Sequence, residues 1–199
     1  QTLAYPGNGA SMHGVAVSPD GTHVYVTGAS NELYDWTVAH NGVVTFARTI
    51  ALPGGSYPCG LALSRDGSQA YVCLSVANKL AVVNLANGTV TRQINVGIAP
   101  WDVVVSPDGN TAYVSDWGGR FPTAGDLTAP SAGTPVIVDD RGVAASGALS
   151  VVNLLSGQET AKVSTDLHPC DLELSADGAT LYVANANSDT VTVLDTATR

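Results

Sequence analysis

Four positions at the head of a repeated segment carry side chains that could do chemistry. Seven residues before the aspartate of each of four Asp-Gly pairs stand His13, Cys59, Trp101 and Cys170. One residue further on stand Gly14, Gly60, Asp102 and Asp171. Imidazole and thiolate are metal ligands, so His13, Cys59 and Cys170 form a minimal ligand set. The spacing argues against a metal, because sites written into one sequence show tight local spacing such as C-x₂-C, and none occurs here. A second chemistry is an enzyme or redox site drawing on His13, Cys59, His168, Cys170, Asp102 and Asp171. The plainer reading is that all of these line a channel and touch a partner or small ligand. No catalytic set and no cofactor are expected, since no G-x-S-x-G, H-E-x-x-H, Walker-type or dinucleotide signature is present. Asp20, Asp66, Asp108 and Asp177 recur in every repeat, which suits a turn former rather than a unique catalytic group.

The elements that must position these residues follow from the repeat itself. VAVSPDGTHVYVT (15–27) returns as LALSRDGSQAYVC (61–73), VVVSPDGNTAYVS (103–115) and LELSADGATLYVA (172–184). A second block follows as AVVNLANG (81–88), SVVNLLSG (150–157) and VTVLDTAT (191–198). Apolar alternation on both sides of Asp-Gly predicts a hairpin, because Gly tolerates the positive φ such turns require. The second block predicts another. Four strands, a to d, in about 42 residues is the period of a propeller blade. The fold expected is all-β, a β-propeller of four-stranded antiparallel blades, with repeats beginning near 12, 58, 100 and 169. Helical periodicity is absent.

These motifs carry a resemblance. SPDG, then Tyr-Val, then a Val-rich strand closed by Asn or Asp and a Gly turn resembles the YVTN family of β-propeller repeats. The likeness covers residues 1–199. It implies a seven-bladed propeller of which four repeats are present. The segment Ser115–Asp140 is similar to an insertion found in members whose propeller precedes an alkaline-phosphatase-like phosphoesterase domain. The frame of the repeat places a strand d at the N-terminus and ends after a strand c, which allows two outcomes. Either that strand d completes the last blade and closes a small ring, or the chain is a segment with further blades on both sides, the outcome the resemblance favours.

Bulk properties narrow the function. Eight Lys and Arg against 17 Asp and Glu give a net charge of −9. The basic residues are dispersed, which excludes a nucleic-acid surface. No apolar run approaches the roughly 20 residues of a membrane span. Three cysteines cannot all pair internally. In a tight Asp-Gly hairpin Cys73 faces Gly60 and Cys59 faces Leu74, so a Cys59–Cys73 disulfide is not expected.

The third repeat carries 27 extra residues between strands b and c, over about 117–147. Strand direction puts this insertion on the face where all four a strands start. It reads as an extended ordered loop without helix. Trp117 and Phe121 offer apolar anchors, and Arg120 a fork for a carboxylate or phosphate. Asp139 and Asp140 fall short of a calcium shell. The leading expectation is a non-catalytic binding or scaffold module of a secreted or cell-surface protein. Its partners would be the remaining blades or domains of a longer chain, or another protein, docked on the channel face. A channel-mouth metal, redox or hydrolytic enzyme, and a surface-layer or adhesive repeat protein, are the alternatives.

Overall fold

The computed structural model describes residues 12–28 and 30–199. All regular elements among them are strands. The first blade is β1 (Met12–Val17), β2 (His23–Gly28), β3 (Glu32–Val38) and β4 (Val44–Ala51). The second is β5 (Pro58–Leu63), β6 (Gln69–Leu74), β7 (Lys79–Asn84) and β8 (Thr89–Asn95). The third starts with β9 (Ile98–Val105) and β10 (Thr111–Gly119). The insertion then forms a separate hairpin, β11 (Thr128–Ser131) and β12 (Thr134–Ile137), before β13 (Gly147–Asn153) and β14 (Gln158–Thr165) complete the blade. The last blade has three described strands, β15 (Pro169–Leu174), β16 (Thr180–Asn185) and β17 (Thr190–Asp195). The strand d expected at the N-terminus lies outside the described residues.

Each a–b turn is built identically. Ser18 Oγ donates to Asp20 Oδ1 at 2.6 Å, Thr22 N donates to the same oxygen at 3.0 Å, and His23 N closes on Ser18 Oγ at 2.9 Å. The same hydroxyl-to-carboxylate bond joins Ser64 to Asp66, Ser106 to Asp108 and Ser175 to Asp177. These donors, the serine hydroxyl foremost, hold Asp20, Asp66 and Asp108 down to about 2 and also lower Asp177. The repeated carboxylates are thus consumed by turns.

Blades stack face to face through three cores. Leu33, Ile50, Leu61 and Val72 fill the first interface. Cys59, Cys73, Leu80 and Val114 fill the second, and Leu149, Val151, Leu172 and Leu181 the third. Polar bridges add to them. The Arg48 guanidinium donates to the carbonyls of Leu85 and Ala86 in the next blade, and Arg92 Nη1 reaches Leu154 O at 3.3 Å and Leu155 O at 3.4 Å.

The repeat supplies its own control for what is missing from this stack. Leu61, Val103 and Leu172 are buried, yet Val15 at the equivalent position is 66% exposed. Tyr25, Tyr71 and Tyr113 are 4–5% exposed, yet Tyr182 is 44% exposed. Val82 and Val151 are buried where Val193 is 63% exposed. The four blades therefore form an open arc with one unpacked apolar face at each end. A closed four-blade ring, one outcome allowed by the strand frame, is not what forms.

One local expectation is corrected. A bulge in β5 puts Leu61 opposite Val72 but Pro58 opposite Leu74. That extra residue brings Cys59 and Cys73 into the same core cluster, rather than onto opposite sides of the sheet. Both thiols remain free, and burial pushes Cys59 up to about 12 and Cys73 well above its ordinary value.

Candidate functional site

The a strands run side by side, and their first residues surround one opening. Two glycines make the close approach achievable. A Cβ on Gly14 would lie 2.7 Å from Cys59 O, and a Cβ on Gly60 would lie 2.7 Å from both the Trp101 carbonyl oxygen and Asp102 Cα. Side chains one strand over reinforce the ring. Thr27 Oγ1 donates to Cys59 O at 2.6 Å and accepts from Gly14 N at 2.9 Å, while Asp102 Oδ2 accepts from Leu172 N at 3.1 Å.

The opening is a cavity of about 360 Å³ walled chiefly by His13, Trp101, Asp102, Cys170 and Asp171, with Gly14 and Gly60 in its floor. His13 and Trp101 in its wall belong to an arc of five aromatic rings. Tyr57 and His13 lie 5.4 Å apart between centroids, His13 and Trp101 5.1 Å, Trp101 and Trp117 5.1 Å, and Trp117 and His168 4.5 Å. Tyr57 Oη and His13 Nε2 also share a hydrogen bond at 3.1 Å. Burial is the main reason the Asp102 carboxyl is pushed up to about 6, with the neighbouring Asp171 carboxylate adding to it.

Most residues singled out by the sequence meet here: His13, Trp101, Asp102, Cys170 and Asp171 in the wall, Trp117 and His168 in the arc. Cys59 does not. It is fully buried in the second core with its Sγ toward Tyr57 O, because the bulge turns it inward. Among the described residues no three His, Cys, Asp or Glu side chains are grouped to hold a metal ion. Arg120 is also redirected. Its fork closes bidentately on Asp126 at 2.8 and 2.9 Å, within the insertion itself, and the side chain stays partly exposed. Phe121 stays 48% exposed. Asp139 is taken by Arg141 and by the Val143 amide, within its own turn.

The insertion does reach the channel face. Ile98, Val136 and Val138 form a small core that seats the β11–β12 hairpin on β9. Asn78 Nδ2 donates to Thr134 Oγ1 at 3.0 Å. Between them lies a second, mainly apolar cleft of about 220 Å³, bordered by Tyr57, Val76, Ile98, Ala99, Trp101 and Trp117. Trp101 is the wall common to both cavities. A larger cleft of about 440 Å³ opens on the Asp-Gly face between the first two blades. Its polar groups are already engaged: Asp20 and Asp66 in turns, Arg48 with Asp35 at 3.0 Å, and His23 with Asp35 at 2.7 Å.

Sequence reasoning missed Tyr57, and a signal for it was present. Nine residues before Asp66, Asp108 and Asp177 stand Tyr57, Ala99 and His168, each followed by proline. All three hold positive φ, at 49°, 53° and 54°. A non-glycine residue there costs on the order of 1–3 kcal/mol, and such strain gathers at functional sites.

The fold and its mouth define the class: a β-propeller module whose blade-start residues build a concave site on one face. The chain belongs to the family described as "Lactonase, 7-bladed beta-propeller", whose profile matches residues 5–198. The YncE protein of Salmonella typhi is 24% identical over 176 residues, which are 88% of this chain and 42% of that protein. Hydrazine synthase of Kuenenia stuttgartiensis superposes with a TM-score of 0.71 at 22% identity, covering 99% of this chain and 49% of that one. A putative 6-phosphogluconolactonase of Bacteroides uniformis superposes at 0.67 with 19% identity, covering 92% and 50%. The chain spans about half the length of these proteins, and the structural likenesses establish the fold.

Proposed function

We propose that this chain is a ligand-binding segment of a longer, extracytoplasmic propeller, and that its ligand site is the channel mouth. The observation that carries the reading is that two rings, His13 and Trp101, and two carboxylates, Asp102 and Asp171, line one cavity, with Trp117 and His168 stacked onward from Trp101, while the recurrent polar groups of the opposite face are spent on turns. The exposed apolar end faces support the longer propeller: Val15, Tyr182 and Val193 sit where every inner blade is covered. The partners of this segment are then further blades of its own chain. A phosphoesterase domain beyond the propeller rests on the likeness of segment 115–140 alone.

The test is a thermal-shift screen of neutral, anionic and cationic small molecules on the intact protein and on its Trp101→Ala variant. Ligands that stabilise the wild type and not the variant support the mouth. A set of hits indifferent to Trp101 defeats it. Cell fractionation tests the compartment.

A second reading, hydrolysis at the same mouth, draws on Asp102. Its carboxyl near 6 sits beside Asp171, an arrangement that suits general acid–base work around neutral pH. The lactonase family and the likeness to a putative 6-phosphogluconolactonase make lactones the first substrates to assay. Turnover that survives Asp102→Asn would remove this reading.

A further inference from the structure

The chemistry of the two adjoining cavities narrows the ligand. The mouth holds Asp102 and Asp171 side by side, and none of the described residues lining either cavity is a Lys or an Arg. Arg120, the cation nearest in sequence to Trp117, is already closed on Asp126. The half-buried Asp102 carboxylate and the exposed Asp171 carboxylate beside it repel each other, and a bound cation relieves that repulsion. An anion would add to it, and a neutral polyol would leave it in place. The rings point the same way, because a cation within about 6 Å of an indole face is attracted by its quadrupole. Trp101 stands with Asp102 in the mouth wall and has His13 and Trp117 within 5.1 Å.

The second cleft is of a different kind. The Asn78 side chain is engaged on both ends, its Nδ2 donating to Thr134 and its Oδ1 accepting from Ala99 N at 2.9 Å. What remains facing the cleft is largely carbon: Tyr57, Val76, Ile98, Ala99, Trp101 and Trp117. Its volume of about 220 Å³ suffices for a flat six-membered ring, since an apolar cavity of about 150 Å³ already holds benzene. The cleft exists because the insertion supplies Ser131, Ala132 and Thr134 as its far wall. The other three repeats have no counterpart.

We infer that the mouth takes a small organic cation bearing a flat apolar group, with the charge against Asp102, Asp171 and the face of Trp101 and the apolar group across Trp101 in the cleft closed by the insertion. This rests on the reading of the mouth as a ligand site. Charge and ring are recognised by separate subsites, so their contributions separate in a probe series.

The experiment titrates the intact protein by calorimetry with benzyltrimethylammonium, tetramethylammonium and benzyl alcohol. Benzyltrimethylammonium should bind tightest. Removing the ring, or removing the charge, should each weaken binding by about tenfold or more. Asp102→Asn should weaken the preference for charge, since Asp171 and Trp101 remain, and keep the preference for a ring. Trp117→Ala should bring benzyltrimethylammonium down to the affinity of tetramethylammonium, and Trp117→Phe should restore most of the difference, which a folding defect would not do. Benzyl alcohol binding as tightly as benzyltrimethylammonium overturns the cation. Tetramethylammonium binding as tightly overturns the cleft. If benzyltrimethylammonium fails to bind while the screen above yields Trp101-dependent neutral or anionic ligands, this inference falls and the mouth stands. If no ligand of any class depends on Trp101, both fall.

Discussion

Asp116 sits fully buried within β10, and replacing it with asparagine should change how stability depends on pH. Its Oδ2 accepts from Ser150 Oγ at 2.5 Å and lies 3.5 Å from Lys162 Nζ. Glu159 shares Ser150 and Lys162 with it, and Gly97 crowds it so closely that no side chain could replace the glycine hydrogen. Its Oδ1 has no hydrogen-bond partner. Burial dominates, outweighing the Lys162 charge, and pushes the carboxyl from 3.8 to about 7. A raised acid pKa means that the folded state favours the protonated form. The stability that this group contributes is therefore complete below pH 3.8, falls as pH rises, and is gone above about 7. At about 1.4 kcal/mol per pH unit, that interval amounts to about 4 kcal/mol. Asp116→Asn mimics the neutral form throughout. It should match the wild type at acid pH and exceed its stability by up to about 4 kcal/mol near pH 8. Urea midpoints of the intact protein across this range give the difference curve. Parallel curves for the two proteins would refute the argument. An asparagine variant that falls progressively below the wild type as pH rises would show instead that the ionised Asp116–Lys162 pair is stabilising.

Further outcomes follow from the packing. Gly60→Ala puts a Cβ 2.7 Å from backbone atoms of Trp101 and Asp102, so β9 must move; tryptophan fluorescence and any ligand affinity of the mouth should change together. Replacing residues 118–146 by a short Gly-Ser bridge should leave the propeller folded and expose Ile98, at a cost of about 1.5–3 kcal/mol; unfolding of the intact protein by this deletion would show that the insertion belongs to the blade core. On the proposal that further blades cover both end faces, Val15→Asp and Val193→Asp, though each changes a residue that is exposed in this segment, should destabilise the intact protein as core substitutions do, by about 2 kcal/mol or more; neutral effects on the thermal midpoint would contradict that proposal.

The blades were legible because their information is local. Ser-x-Asp-Gly closes a hairpin with its own side chains, and Tyr-Val and the Val-rich block sit a fixed distance downstream, so four copies in register predict four sheets. The insertion was legible in position, since strand direction alone assigns it to the channel face, but not in form. Its hairpin depends on Val136 and Val138 finding Ile98, a residue before the insertion begins.

The site was legible only in outline. Fixed spacing marked His13, Trp101, Asp102, Cys170 and Asp171 as one ring of positions, and they do meet. Spacing could not reveal that a bulge turns Cys59 into the core, that Arg120 closes on Asp126, or that Tyr57 leans across to His13. Nor could it single out Asp116, whose equivalents in the other repeats are Gly28, Leu74 and Asn185.

By itself, then, the sequence determined the blade, its turns and the face on which the variable residues gather, because each rests on hairpins between strands that follow one another within a repeat. Only the tertiary structure decided which of those residues line a cavity, which are spent on neighbours and which faces stand open. Those outcomes depend on contacts between blades, such as Asp102 with Leu172, Thr27 with Cys59 and Trp117 with His168. Such pairs lie dozens of residues apart and leave no periodic trace in the chain.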